Sequence, residues 1–356
     1  MGLWVVGEGL LLLLALGGLV ARYVPPHRGW WLQLLAIGLP LLIVPMGIAA
    51  VLALRASLGG LAVINAAVMV LIGSRFIFVD VGTPASDASG LSVVTYNAGG
   101  FRETPAAYEE LRTVFAREEP EVVAWQEVSV RKLKKRRANA TAVPRKLQET
   151  AALLSHTIPQ VDLAPEGTQR KEPVSTSLEA VGERVITAST AERSGYSGSA
   201  TRTQLIWQGR EFALYNVHLH SFNERPTPSS WTAWLRLSTW REALAAMRDT
   251  FLQQEHEVER LRETLASEPL PYLICGDLNS TSSNWAYARL AEGMTDAFAA
   301  TGSGMGTTYH PQRRLVRIDF VLASAAWEVT GAQVLPVYAS DHMPVLARVH
   351  WKTNAE

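Results

Sequence analysis

Five short segments of this chain end an apolar run in a group able to bind a cation or move a proton. They read Val93-Val94-Thr95-Tyr96-Asn97, Val122-Val123-Ala124-Trp125-Gln126-Glu127, Leu273-Ile274-Cys275-Gly276-Asp277-Leu278-Asn279, Arg317-Ile318-Asp319-Phe320-Val321 and Ser340-Asp341-His342-Met343-Pro344. A strand that merely ends needs turn residues, not a recurring supply of Asn, Glu, Asp and His. Set at strand ends, such groups can converge on one point above a β-sandwich. A point rich in carboxylates with an imidazole nearby suits a divalent cation and a phosphate ester.

Taken singly, each segment has a plainer reading. Asn97, before Gly99 and Gly100, can be a turn residue, and Glu127 a solvated loop acid. Gly276-Asp277-Leu278-Asn279-Ser280 can form an Asx turn, and Ser340-Asp341-His342 can open a strand. Asp319 resists dismissal, because Ile318, Phe320 and Val321 surround it with apolar side chains. A buried acid needs a partner, and a histidine is a suitable one.

The elements that must position these groups follow from the rest of the chain. Of 356 residues, 48% are hydrophobic, and the excess lies at the start. Apolar runs at about 3–21, 30–54 and 57–79 each have the roughly 18–20 residues that cross a bilayer as a helix. Trp30 and Trp31 open the second run, where an amphipathic ring favours an interface. Pro40 and Pro45 lie inside it, and a membrane helix tolerates the bend they impose. Glu8, close to the chain end, reads as an interfacial residue. Three spans put the large domain on the side opposite residue 1, and the sparse loop charges do not say which side that is.

Residues 80–90 are small, polar and turn-rich, and read as a linker. The remaining residues, 91–356, form the candidate catalytic domain. β-rich runs recur at 91–97, 121–126, 174–188, 201–207, 211–218, 271–276, 316–323, 328–335 and 345–351. Helical patterns separate several of them, at about 105–118, 146–155, 231–267 and 284–292. Strands with helices between and around them predict an α+β fold of two packed sheets flanked by helices. Beyond residue 80 the chain carries 29 basic and 31 acidic residues. That balance argues against a domain that binds nucleic acid through bulk positive charge. Cys275 is the only cysteine, so no intrachain disulfide forms, and its apolar surroundings predict a buried thiol.

Together the segments resemble the endonuclease/exonuclease/phosphatase superfamily, whose members include DNase I, exonuclease III-type repair enzymes, neutral sphingomyelinases and inositol polyphosphate 5-phosphatases. The motifs are TYN (95–97), WQEV (125–128), NVHL (216–219), GDLNS (276–280), RIDFVL (317–322) and SDHMPV (340–345), in the family's order. GDLN and SDHMP are the most specific. The resemblance implies a four-layer α/β sandwich of the DNase I-like type, here preceded by three transmembrane helices in a bacterial-type, multi-pass member of the cell membrane. It also implies a Mg²⁺ site, with Mn²⁺ as a substitute. Glu127 resembles the principal metal-binding carboxylate, with Asn97 beside it and Asp341 as a further metal-side acid. Asp277 resembles the group that positions or deprotonates the attacking water, and Asn279 one that hydrogen-bonds water or phosphoryl oxygen. Asp319 and His342 resemble the family's carboxylate–imidazole pair. His218 fits the NxHL form better than His220, although residues at alternate strand positions share a face. Whether Asp277 or His342 is the base does not follow from sequence.

These readings make the chain a membrane-anchored phosphoesterase whose partners are the lipid bilayer and a phosphate-ester substrate, with no protein partner inferred. A nucleic acid, a phospholipid or a small phosphodiester would serve as substrate. An endo- or exonuclease is the alternative, and a catalytically inactive, membrane-tethered binding module the rival from another class. Arg131-Lys132-Leu133-Lys134-Lys135-Arg136-Arg137, just after Glu127, would hold a polyanion if it borders the site, or is a solvated loop. The helix starting near Ser230 carries Trp231, Trp234 and Trp240. They would pack on the sandwich or touch a membrane interface.

Overall fold

The computed structural model describes residues 2–79, 90–99, 105–127, 173–187, 199–222, 236–314 and 316–353. The basic run 131–137, the helical pattern at 146–155, Trp231, Trp234 and nearly all of the expected linker lie outside them.

The chain opens with three apolar helices, α1 (Gly2–Val20), α2 (Pro26–Arg55) and α3 (Gly59–Phe76). Each is long and apolar enough to cross a membrane. They pack on one another through Ala15, Leu39, Met46 and Ile72. Gly18 permits the close approach of α1 to α2, since a Cβ there would stand 2.7 Å from the Leu39 side chain. Their outward residues, such as Leu13, Leu41 and Val63, remain exposed. In α2 the backbone leaves helical geometry at Gly29, not at Pro40 or Pro45. Glu8 is buried within the bundle and accepts a hydrogen bond from the Asn65 amide of α3.

The remainder is a four-layer sandwich. The first sheet holds β1 (Leu91–Asn97), β2 (Val122–Gln126), β3 (Val174–Thr176), β10 (Trp327–Val334) and β11 (Val345–Trp351), in the order β10-β11-β1-β2-β3. The second holds β4 (Glu179–Thr187), β5 (Ser199–Trp207), β6 (Arg210–His218), β7 (Tyr272–Asp277), β8 (Thr295–Asp296) and β9 (Asp319–Ala323), in the order β4-β5-β6-β7-β9-β8. Period-two alternation sorts the side chains between layers. Val93, Leu273 and Cys275 face the inter-sheet core, whereas Val94 and Tyr96 turn outward to α4 (Pro105–Glu118). Ile274 and Tyr215 turn out on the other side, under α5 (Leu237–Ala266) and α6 (Trp285–Leu290). A short α7 (Ala297–Thr301) follows β8.

The run expected as one strand over 174–188 is two strands in different sheets. Thr176 ends the first by accepting the Leu178 N–H on its hydroxyl at 3.0 Å, a local bond that turns the chain before Glu179. Such a bond leaves no trace in hydrophobic periodicity.

Register sets the site. β1 and β2 are parallel with Asn97 beside Gln126. β6 and β7 are parallel with His218 beside Asp277. β7 and β9 are antiparallel with Asp277 beside Asp319. One edge of the sandwich therefore receives a polar group from each of five strands.

The helical bundle is bonded to that same edge. Gln33 of α2, 1% exposed, donates to the Ala21 and Val24 carbonyls at 3.0 and 3.1 Å. Its own amide oxygen accepts from the Trp285 N–H at 3.0 Å and the Asn284 amide at 3.2 Å. The Ser282 hydroxyl donates to the Arg75 carbonyl at the end of α3. Phe78 pairs with Gly304 and lies against the Arg317 guanidinium. We expect Gln33→Leu to lower stability by about 2–4 kcal/mol, because it strands several buried polar groups at once. Unfolding of the full-length protein in detergent measures this, and an unchanged midpoint would show that the latch contributes nothing.

Candidate active site

Asp277 is the centre of the site. It ends β7 after Gly276, whose φ of +152° and contact with β6 exclude any side chain: a Cβ would fall 1.8 Å from the Val217 carbonyl. The carboxylate is 1% exposed. One oxygen accepts the Asn279 N–H at 2.8 Å, an Asx turn that leaves Asn279 at φ +45°. The other accepts the Asn97 amide at 2.9 Å from across the sandwich. Two imidazoles stand 3.7 Å from that second oxygen, His218 Nε2 and His342 Nε2.

Asp319 faces His342 from the other side. Its two oxygens lie 2.9 and 3.2 Å from His342 Nδ1. Its backbone N–H is directed by the Thr308 hydroxyl, which accepts it at 3.3 Å and the Ile318 N–H at 3.2 Å. The carboxylate–imidazole pair expected from sequence is therefore in contact. Burial alone would lower the His342 imidazole; Asp319 and Asp277 outweigh it and hold the ring's pKa well above its ordinary value. Burial raises Asp277, with Asp319 adding to the rise and His342 and His218 opposing it. The two carboxylates thus favour the protonated ring, whose Nε2 faces Asp277.

Of the two candidate histidines, His218 reaches Asp277. His220 instead donates its N–H to Glu257 of α5 at 2.9 Å, while its carbonyl accepts from Gln254 at 2.8 Å. Gln254 also bonds the Asn279 carbonyl, at 3.1 Å. The Asn279 amide donates to the Leu219 carbonyl at 3.0 Å, so its oxygen is the part of the side chain left to face water or phosphate.

Of the residues expected to hold a metal, Asn97 ends β1, Glu127 follows β2 and Asp341 lies in the loop before β11. Glu127 directly follows β2 in the left-handed region at φ +54° and is half-buried. A non-glycine residue there costs of order 1 kcal/mol, and such strain recurs at functional positions. Asp341 is exposed. Gly99, at φ +53°, lets the loop bearing Asp341 close over the end of β1, since a Cβ would stand 2.9 Å from both Asp341 Oδ1 and Ser340 Oγ. The Ser340 hydroxyl completes this closure by donating to the Asn97 carbonyl at 2.8 Å.

The donor chemistry separates two sets. Asp277, Asp319 and His342 place one ligand atom each within 4.8 Å of one another. The Asp319 oxygens there already serve the imidazole, so a cation would compete with His342. Asn97, Glu127 and Asp341 are the second set, of the oxygen type a hard cation takes; here Asn97 Oδ1 accepts the Gly99 N–H at 3.0 Å and Asp341 Oδ1 the Ser340 hydroxyl at 3.2 Å.

Several supporting residues carried no role in the sequence reading. Gln126 donates to the Asn216 side chain at 2.7 Å and to the Thr95 hydroxyl at 3.1 Å, tying the two sheets beneath the site. Asn216 in turn donates to the Trp125 and Pro173 carbonyls. Their signal was a polar residue inside an apolar strand.

A family model described as the endonuclease/exonuclease/phosphatase family matches residues 94–342, more than two thirds of the chain. The chain belongs to this family. Its members are generally divalent-metal-dependent hydrolases of phosphate esters. Among solved structures, the chain resembles a family protein from Leptotrichia buccalis C-1013-b at 14% identity, with 73% of this chain and 100% of that one covered and a TM-score of 0.47. An endonuclease/exonuclease/phosphatase from Beutenbergia cavernae DSM 12333 is 18% identical, covering 73% of this chain and 71% of that one at a TM-score of 0.48. The human Nocturnin catalytic domain with bound sulfate anion is 16% identical, covering 78% and 98% at 0.46. No curated protein sequence matches the chain.

Two outcomes test the Asp319–His342 pair. Asp319→Asn and His342→Ala should reduce turnover by similar factors, with the double variant little worse than either, because groups acting as a unit are not additive. If activity needs the imidazolium, it persists at neutral pH and falls as His342 deprotonates on the alkaline side. Asp319→Asn removes the larger raising charge, so that alkaline limb should move to lower pH. Multiplicative losses, or an unmoved limb, would separate the two residues.

Proposed function

We propose that this chain is a membrane-anchored, Mg²⁺-dependent phosphoesterase. The observation that carries the reading is the buried Asp277 carboxylate, held between two imidazoles and bonded by the Asn97 amide. Asn97, Glu127 and Asp341 would hold the cation, with Mn²⁺ able to replace Mg²⁺. When bound there, it would polarise a phosphoryl oxygen and offset negative charge that grows in the transition state. Asp277, desolvated and anchored at both oxygens, orients the attacking water and accepts its proton. Asn279 offers an amide oxygen to that water. His342, kept protonated by Asp319, donates toward the phosphoryl group, and His218 flanks the same point.

The three N-terminal helices serve as the anchor. Gln33, Arg75 and Phe78 join them to the edge that carries the site. That placement supports an ester at headgroup level, such as a phospholipid or a small phosphodiester, over a nucleic acid. The near-neutral domain charge supports the same preference.

Hydrolysis of a small chromogenic phosphodiester by the full-length protein should stop in EDTA and return with Mg²⁺ or Mn²⁺. Full turnover by the metal-stripped protein would sink the metal-assisted reading. The full chain should also stay in membranes through alkaline carbonate; its release would refute the spans.

A further inference from the structure

The long helix α5 extends past the sheet it covers. Its C-terminal half packs through Val258, Leu261 and Leu265 on Tyr215 and Ile274, and runs antiparallel to β7, which starts at Tyr272 soon after α5 ends. Gln254 is level with Asn279, to which it is bonded. The residues before it, back to Leu237, span about 25 Å at 1.5 Å per residue and project beyond the active-site edge.

That is the edge to which the helical bundle is bonded. Glu255 meets His27 in the first turn of α2, accepting its backbone N–H at 2.8 Å and pairing with its ring. Glu255 follows Leu237 by eighteen residues and Leu244 by eleven, close to whole turns of a helix. The face of α5 that touches the bundle is therefore the face that bears these leucines. Leu237 is 67% exposed, Trp240 50% and Leu244 41%. Arg241 and Arg248 are exposed on the same side, and Glu242 and Asp249 are exposed away from it.

We propose that the projecting half of α5 is a membrane-interface helix. Leu237, Trp240 and Leu244 lie in the bilayer surface beside α2, with Arg241 and Arg248 at the level of the lipid phosphates. An apolar stripe flanked by arginines is the pattern of a helix lying in the interface plane. The occupant is the membrane the bundle spans, because the stripe continues the contact that Glu255 makes with the end of α2. The helix would hold the active-site edge at headgroup depth.

This inference rests on the membrane-anchored reading, and the test separates the two. Full-length chains carrying Leu237→Cys, Leu244→Cys or Glu242→Cys are labelled with an environment-sensitive fluorophore in vesicles of phosphatidylcholine and phosphatidylglycerol. Cys275 is fully buried and escapes labelling. Nitroxide lipids spin-labelled near the headgroup should quench the labels at 237 and 244 severalfold more than the label at 242. Equal quenching at all three positions, or none, would overturn the proposal while leaving the anchor intact. Release of the labelled chains by alkaline carbonate would overturn the anchor and this inference with it.

Discussion

A carboxylate that is 1% exposed is the constraint around which this fold is arranged. Moving such a charge out of water costs several kcal/mol unless donors and counter-charges meet it. Asp277 obtains them from both sheets: Asn97 from the first, its own turn at Asn279, and His218 and His342 from either side. None of these partners is within the same strand. The carboxylate is stable only if β1, β6, β7 and the loop before β11 arrive together. This buried charge ties the sandwich together at one end.

The same logic extends outward. The protonated His342 ring is favoured because Asp319 and Asp277 outweigh its burial, and Asp319 is aimed by Thr308. Gln126 and Asn216 join the sheets beneath, filling with hydrogen bonds a region that apolar side chains fill elsewhere between them. At the far end of the sandwich, Trp327 stacks on Trp351 at 3.8 Å, with Trp207 and Phe212 against them. The core is thus polarised, aromatic at one end and hydrogen-bonded at the other.

Much of this was legible in the sequence, for definable reasons. Apolar runs bounded by Asn97, Asp277 and Asp319 announced strands with polar ends, because backbone pattern and side-chain chemistry changed at the same residue. The three N-terminal helices were legible because length and composition suffice to define them. What escaped were features set by tertiary partners. The split at Ser177 depends on one hydroxyl bond, and Glu8 is buried because Asn65 lies across from it. His218 and His220 share a strand face in sequence logic, and only Glu257 of α5 draws the chain at His220 away. Gln33 lies in a hydrophobic run, and its partners Asn284 and Trp285 are some 250 residues away in the chain.

Those bonds alter what an anchor does. A linker of about ten small, polar residues acting alone would let a domain wander by roughly 17 Å, since flexible chains reach about 5–6 Å times the square root of their length. A latch at Gln33, Arg75 and Phe78 removes that freedom. It grips residues 282–285, three to six positions after Asn279, and Arg317, two before Asp319. Both segments of the candidate site are thereby referenced to the bundle. On the proposed anchored reading, height above the membrane would be a fixed property of the site, and fixed geometry is worth more to a reaction than frequent encounter. The near-neutral domain would gain little from charge attraction to a polyanion in solution. On the proposed reading, its position at the end of the helices would do that work for an ester held in the membrane plane.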